Sequence, residues 1–227
     1  MITDFTRQSE LINVHEFDKR INVIGAGALG SWLTFFLLKM GFKRISLYDF
    51  DIVEEHNIPN QIFREDQIGM SKVESMKNLY RSFFNEENAR RRLAVYNHAI
   101  TPENAPTLKG IVFSCVDSMK ARKEIYEACF KYGQADMWIE GRIGLFGAYI
   151  YTLDRKDIEV MKKYEETLYD DEIAEVSACG ISQTALPSAV NCASIMLMQL
   201  ISAHRGNEVL NKIEYSIPDL TCMSKRW

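Results

Sequence analysis

The sequence lacks paired cysteines, and this absence excludes two classes of site. Its five cysteines, at positions 115, 129, 179, 192 and 222, are scattered and form no CxxC pair. The pattern therefore signals neither a structural zinc site nor a thioredoxin-like redox site. Scattered thiols, together with an N-terminal segment too polar for a secretory leader, predict a protein of the reducing cytoplasm.

An excess of basic residues is also lacking. The net charge of −4 argues against nucleic acid as an obligate partner, because binding phosphate backbones requires a clustered positive face. Residues 184–203 are the one long apolar run, so a membrane span has to be weighed. Pro187, Asn191 and Gln199 interrupt that run. We therefore expect a buried helix there and no membrane partner.

The chain is long enough, at 227 residues, to bury a full core. It contains no internal repeat, low-complexity tract or linker, which predicts one domain over residues 1–227. Short apolar runs that alternate with helical patterns predict an α/β fold. We expect a Rossmann-like, mostly parallel sheet with flanking helices, and antiparallel edge strands near the C-terminus.

The sequence pattern also predicts individual elements beyond the first two strands and the helix between them. Helices are expected over 67–85, 119–132 and 186–204. The charged stretch 154–176 is expected to form a surface helix and a crossing segment. Strands are expected over 93–99, 110–116, from 137, over 144–153 and, as the last strand, over 212–217.

The most informative segment is a glycine-rich turn between an apolar strand and a helix. Glycines at 25, 27 and 30 allow a tight turn, close approach of backbone to phosphate, and close packing of helix on strand. The N-terminus of the helix presents unpaired N–H groups to an anion. Asp49 closes the second strand 19 positions after Gly30, where a carboxylate suits ribose hydroxyls. These residues predict a nucleotide site without selecting the nucleotide.

The residues that follow this turn resemble the ThiF/MoeB/HesA family, adenylating enzymes related to ubiquitin-activating enzymes. The resemblance rests on D-F-D at 49–51, on Asn57 and Gln61, and on I-G-x-x-K at 68–72. It extends to Arg7-Gln8 and to the V-D-S-M-K-A-R segment that contains Asp117. It covers roughly residues 5–150 and the C-G-I-S-Q-T-A-L-P-S-A-V segment from Cys179. An ordinary dehydrogenase would not be expected to contain this combination.

The resemblance implies an enzyme that binds ATP with Mg²⁺ and activates a carboxylate as an acyl adenylate, with release of pyrophosphate. The usual acyl donor in the family is the Gly-Gly C-terminus of a ubiquitin-like or sulfur-carrier protein. Such enzymes position reactants and neutralise charge more than they supply covalent chemistry. The resemblance also implies a homodimer, in which Arg7 acts on the neighbouring subunit's site.

The same resemblance implies roles for residues of this chain. Lys72 would neutralise charge on the transferring phosphate, and Asp117 would hold Mg²⁺. Asp51 would either shape its loop or touch the nucleotide. Two roles remain open for Cys179: a packed thiol, or a thiolate that attacks the adenylate to form a thioester. The expected nucleotide-binding set is Gly25, Gly27, Gly30, Asp49, Asp51, Asn57, Gln61 and Lys72.

Two departures from the family pattern shape the alternatives. Asn60 occupies the position of an arginine that contacts ATP phosphates in the family. Removing such a group typically costs on the order of 3 kcal/mol of transition-state stabilisation. Arg64 and Arg142 are the candidates to replace it, and their guanidinium groups would then lie at the phosphate pocket beside Lys72. The second departure is the missing CxxC pairs, so no structural zinc is expected.

The alternatives left open by the sequence are therefore of different classes. One is a nucleotide-binding partner or scaffold subunit that lost catalytic power with its arginine. Another is an enzyme acting on tRNA, against which the acidic composition counts. The third is an NAD-dependent oxidoreductase, which would leave Lys72 and the Asn57–Gln61 pattern unexplained.

Overall fold

The computed structural model describes residues 3–84, 92–169 and 184–227. These residues contribute an eight-stranded sheet in the order β3-β2-β1-β4-β5-β6-β7-β8. Strands β1 to β5 pair in parallel and β5 to β8 pair antiparallel, as predicted for a Rossmann-like sheet. The strands are β1 Ile21–Ile24, β2 Ile45–Tyr48, β3 Leu93–Tyr96, β4 Lys109–Ser114, β5 Gln134–Ile143, β6 Gly147–Asp154, β7 Lys212–Ser216 and β8 Thr221–Lys225.

Helices cover both faces of the sheet. On one face lie α1 (Ala28–Lys39), α2 (Lys72–Phe83) and α5 (Leu186–His204). On the other face lie α3 (Met119–Ile125), which continues as a π-helical turn to Lys131, and α4 (Ile158–Glu165). The confirmed fold class is therefore a three-layer α/β arrangement.

Successive side chains of β4 are buried on opposite faces of the sheet, each against a different layer of helices. Ile111 and Phe113 are buried in the cluster that includes α1, α2 and α5. Val112 is buried in the cluster that includes α3 and α4. Because successive strand side chains point to opposite faces, a continuous apolar run is what a strand buried on both faces requires.

Two predicted boundaries differ from the structure. The helix expected from residue 67 begins at Lys72, because a 3₁₀ turn at Glu65–Gln67 is followed by Gly69 with a positive φ of 85°. The segment 212–217 is a strand but not the last one, since β8 pairs with it. All five residues of β8 are exposed. A short exposed strand has no hydrophobic alternation by which a sequence pattern could detect it.

Helix α5 is long and apolar enough to cross a membrane, and half of its apolar window is buried inside the protein. It contacts α1, β5 and β6. Met196 on this helix is fully buried, whereas Met198 is 44% exposed. The helix therefore forms part of the core between α1 and the antiparallel half of the sheet.

Met196→Ala should lower the free energy of unfolding by about 2–5 kcal/mol, because truncating a buried side chain leaves a cavity. Met198→Ala on the same helix should change it by less than about 0.5 kcal/mol, since an exposed site loses little packing. Urea denaturation followed by circular dichroism compares the two variants. Equal losses would contradict the packing described for α5.

Candidate functional site

The glycine turn packs against the turn that follows β4. Gly25 has a positive φ of 95°, and a Cβ atom there would lie 2.8 Å from the carbonyl oxygen of Cys115. A Cβ on Gly30 would lie 1.9 Å from the carbonyl oxygen of Gly25. Neither position can accept a larger residue without displacement of backbone. These two glycines are therefore required by the packing of the chain itself.

Gly27 differs from the other two glycines because a side chain at this position would contact no other described residue. It is the N-cap residue of α1, and a Cβ built on it meets no atom within 4 Å among the described residues. The first N–H groups of a helix have no partner within that helix, and the helix dipole favours an anion there. The space beside Gly27 thus suits a nucleotide phosphate.

Asp49 fixes the shape of this turn. Its buried carboxylate accepts hydrogen bonds from the Ala26 N–H at 2.6 Å and from the Asp51 N–H at 2.8 Å. A carboxylate offers about four acceptor positions, so each oxygen retains one for a ribose hydroxyl. The geometry fits the predicted ribose contact and adds a structural role for Asp49.

Lys72 and Asp51 form an ion pair beside the glycine turn. The Lys72 Nζ lies 2.9 Å from Asp51 Oδ2, and the Lys72 side chain is only 8% exposed. The Lys72 N–H also donates to the Asp51 carbonyl at 3.0 Å. Lys72 is the first residue of α2, where a positive charge opposes the helix dipole. Asp51 offsets that cost and holds the ammonium group in place.

The buried side-chain amides of Asn57 and Gln61 differ in whether their oxygens have hydrogen-bond partners. Asn57 is buried, and its Oδ1 accepts from the Glu54 N–H at 3.0 Å. Gln61 is buried and its Oε1 has no partner among the described residues. A buried acceptor of this kind favours a donor such as a hydroxyl, a water molecule or another side chain, and it would not favour a bare phosphate oxygen.

Asn60, at the position of the family's arginine, links two parts of the fold. Its Nδ2 donates to Thr184 Oγ1 at 2.8 Å, just before α5. The main-chain carbonyl of Asn60 accepts from Nε1 of Trp32, on α1, at 3.0 Å. The amide therefore has a structural function here, independent of any phosphate.

The two arginines expected to compensate for Asn60 have other partners. Arg64 makes two hydrogen bonds to Asp66, at 2.8 and 2.7 Å, and both side chains are largely exposed. Arg142 pairs with Glu140 and donates to Thr167. Each guanidinium group is thus paired with a carboxylate other than Asp51, and the compensation hypothesis gains no support.

Asp117 lies three residues beyond β4, and β4 is the neighbour of β1 in the sheet. It therefore follows a strand end at the same edge as the glycine turn. Its exposed carboxylate makes no hydrogen bond or ion pair with the described residues. The N-cap of α3 is Ser118, whose Oγ accepts from the Ala121 N–H at 3.2 Å. Asp117 is therefore not the N-cap residue, so helix capping does not explain an aspartate at this position.

The implied Mg²⁺ can be tested against these ligands. Within the described ranges no group of three His, Cys, Asp or Glu residues could hold a metal ion. Mg²⁺ commonly binds through one or two carboxylates, with phosphate oxygens and water completing the octahedron. Asp117 therefore fits a metal that arrives with a nucleotide, and it does not fit an all-protein metal cage.

Arg7 is not brought into this group. Arg7 lies in the turn Thr6–Gln8, and the Gln8 side chain bonds the Met40 carbonyl at the far end of α1. A helix of 12 residues is about 18 Å long, so Arg7 sits roughly that far from its own glycine turn. Cys179 lies outside the described residues.

The charged cluster around Glu140, near Asp117, was not predicted from the sequence. Glu140 is fully buried in β5 and pairs with Arg122 and Arg142. The available signal was an acid inside the apolar run M-W-I-E-G at 137–141. A buried carboxylate in a central strand requires partners, which the sequence alone does not identify.

The fold is Rossmann-like, and the glycine turn, the Lys72–Asp51 pair and Asp117 lie beyond the carboxyl ends of β1, β2 and β4. The family model described as "ThiF family" matches residues 12–224. The chain belongs to the ThiF family, as its motifs predicted. Among curated proteins it is similar to ubiquitin-like modifier-activating enzyme 5 of Branchiostoma floridae, 28% identical over 209 residues. That match covers 87% of this chain and 49% of the relative.

Ubiquitin-like modifier-activating enzyme 5 of Oryza sativa subsp. japonica is 30% identical over 151 residues, covering 56% of this chain and 32% of the relative. The matches thus cover from 32% to 49% of the length of these relatives. Among solved structures it is similar to the microcin C7 biosynthetic enzyme MccB bound to N-formylated MccA, with a TM-score of 0.75 and 17% identity. E. coli MccB with ATP gives 0.68 and 16%. Each match covers 92% of this chain and 64% of the other, and these likenesses show the fold.

Gly27→Ala and Gly30→Ala should separate binding from folding. Gly30→Ala should disrupt the turn and unfold or strongly destabilise the protein, because its Cβ has no space. Gly27→Ala should fold normally yet bind ATP roughly tenfold or more weakly, because its methyl group occupies the phosphate approach. Circular dichroism and titration calorimetry measure the two properties. Unchanged ATP affinity in Gly27→Ala would contradict the assigned phosphate site.

Proposed function

We propose that this protein is an ATP-dependent adenylyltransferase that activates the C-terminal carboxylate of a protein or peptide. The observation that carries the proposal is the buried Lys72 ammonium, which is paired with Asp51. The Asp51 N–H binds the same Asp49 carboxylate that accepts from the Ala26 N–H in the glycine turn. A fixed cation and a helix N-terminus at one edge of the sheet suit nucleotidyl transfer, which depends on charge neutralisation. Membership of the ThiF family supports the same reaction class.

In the proposed reaction a carboxylate oxygen attacks the α-phosphorus of ATP. The bond to the bridging oxygen breaks, pyrophosphate leaves with its electron pair, and an acyl adenylate results. The α1 N-terminus and Lys72 stabilise negative charge on the phosphates. Asp49 orients the ribose, and Asp117 would hold Mg²⁺, which supplies further charge neutralisation when bound. No proton transfer is needed if the acid is ionised.

The proposed acyl donor is a ubiquitin-like or sulfur-carrier protein, or a peptide, with a free C-terminal carboxylate. Relatives named as ubiquitin-like modifier-activating enzymes support the protein donor. The MccB structure with N-formylated MccA supports a peptide donor. The proposed assembly is a homodimer, and the position of Arg7 far from its own glycine turn is compatible with action on a neighbouring subunit.

The second candidate is a catalytically weakened nucleotide-binding subunit, favoured by Asn60. The hydrogen bond from Asn60 to Thr184 gives this residue a structural reason to be an amide. That reason explains the loss of arginine whether or not catalysis is retained. The two candidates differ in one measurable property, pyrophosphate exchange.

The protein should catalyse ATP–pyrophosphate exchange that depends on a protein or peptide ending in Gly-Gly. Lys72→Ala should lower the exchange rate roughly 100- to 1,000-fold, as expected for loss of a charge-stabilising group. Lys77→Ala should leave it unchanged, because Lys77 lies on the same helix and pairs with Glu74 among the described residues. The assay measures incorporation of labelled pyrophosphate into ATP.

C-terminally amidated peptides serve as the chemical control, since an amide cannot form the adenylate. Exchange with amidated peptides, or exchange unaffected by Lys72→Ala, would contradict the proposed reaction. ATP binding without exchange for any carboxylate tested would favour the weakened subunit.

Asn60→Arg should not raise the exchange rate. The substitution removes the hydrogen bonds to Thr184 and should cost about 1 kcal/mol of stability, measured by urea denaturation. Asn60→Asp serves as a size-matched variant that also removes the donating amide N–H₂ but adds no positive charge, and both variants keep the main-chain carbonyl that accepts from Trp32. A rise of about 100-fold in Asn60→Arg would show that the missing arginine had limited catalysis.

A further inference from the structure

A buried charged cluster lies next to the Asp117 turn. Glu140 in β5 is fully buried and stands opposite Ser114, the last residue of β4. Its Oε1 lies 2.9 Å from Arg122 Nε and also accepts from Arg142. Its Oε2 accepts from Trp138 Nε1 at 3.2 Å and from the Tyr164 hydroxyl. One carboxylate thus holds two guanidinium groups away from water.

The two arginines reach different parts of the chain. Arg122 Nη2 donates to the Val116 carbonyl at 2.6 Å, in the peptide group that joins Val116 to Asp117. Arg142 instead donates to the carbonyl and hydroxyl of Thr167, beyond α4. Only Arg122 therefore connects Glu140 to the turn that carries Asp117.

Charge and burial favour this connection. Arg122 is 4% exposed, so its charge requires a counterion, and Glu140 is its ion-pair partner. Burial raises the pKa of Tyr164 well above its ordinary value, and the Glu140 charge adds to that effect. The phenol therefore keeps its proton and donates to Glu140. A carboxylate with this many donors has little freedom to move.

We propose that Arg122, held by Glu140, is a positioning residue that fixes the Val116–Asp117 peptide and thereby aims the Asp117 carboxylate at the nucleotide-bound Mg²⁺. The proposal rests on the nucleotide and metal site of the proposed function. It differs from that function in assigning the orientation of Asp117 to a buried pair that touches neither metal nor nucleotide. Residues that orient metal ligands typically influence metal affinity by about 10- to 100-fold.

The test measures how strongly Mg²⁺ enhances ATP binding, by titration calorimetry in Mg²⁺ and in EDTA. We expect Arg122→Lys to reduce the enhancement at least about tenfold, as Asp117→Asn should. Arg142→Lys is the matched control, because it changes the other arginine on the same carboxylate and should retain the enhancement. The double variant Asp117→Asn/Arg122→Lys should lose no more than Asp117→Asn alone, since both act through one carboxylate.

Thermal unfolding of each variant first establishes that it folds. If Arg122→Lys does not fold, Glu140→Gln keeps the side-chain shape, removes the counterion and should likewise reduce the enhancement. Equal effects of Arg122→Lys and Arg142→Lys, or a wild type with no Mg²⁺ enhancement, would overturn the proposal. Absence of pyrophosphate exchange with the Arg122 effect intact would reject the adenylation reaction and leave the positioning role standing.

Discussion

The close approach of the glycine turn to the turn after β4 is the constraint on which the candidate site depends. Gly25 and Gly30 leave no space for a side chain between them and Cys115. Because β1 and β4 are neighbours, this contact places the start of α1 beside the turn that leads to Asp117. A nucleotide phosphate at Gly27 would then lie at the same sheet edge as Asp117, the proposed metal ligand.

Two charge pairs with a buried cation lie near that edge. Lys72 is held by the half-exposed Asp51. Arg122 is held by the fully buried Glu140 and donates to backbone. In the proposed function the first pair would supply charge to a substrate, and the second would orient the turn that carries Asp117. Both offset desolvation of a cation by a specific carboxylate.

Asn60 shows how a departure from a family pattern can have a local cause. Its side-chain amide donates to Thr184, while its main-chain carbonyl accepts from the indole of Trp32. The longer arginine side chain could not place a donor at Thr184 in the same geometry, whereas any residue would supply the main-chain carbonyl. In this chain the position therefore joins the nucleotide edge to α5 rather than supplying a cation.

The fold class, the glycine turn and the motif between β2 and α2 could be predicted from the sequence, because strand and helix periodicities and glycine spacing are local properties. Lys72 near the start of a helix and the helix at 186–204 are of this kind. The partners of the buried polar side chains, in contrast, depend on the tertiary structure. Glu140 meets Arg122 across 18 residues, and Asn60 meets Thr184 across 124 residues. Neither pairing follows from local spacing, since each arises from the order of strands and the packing of helices on the sheet.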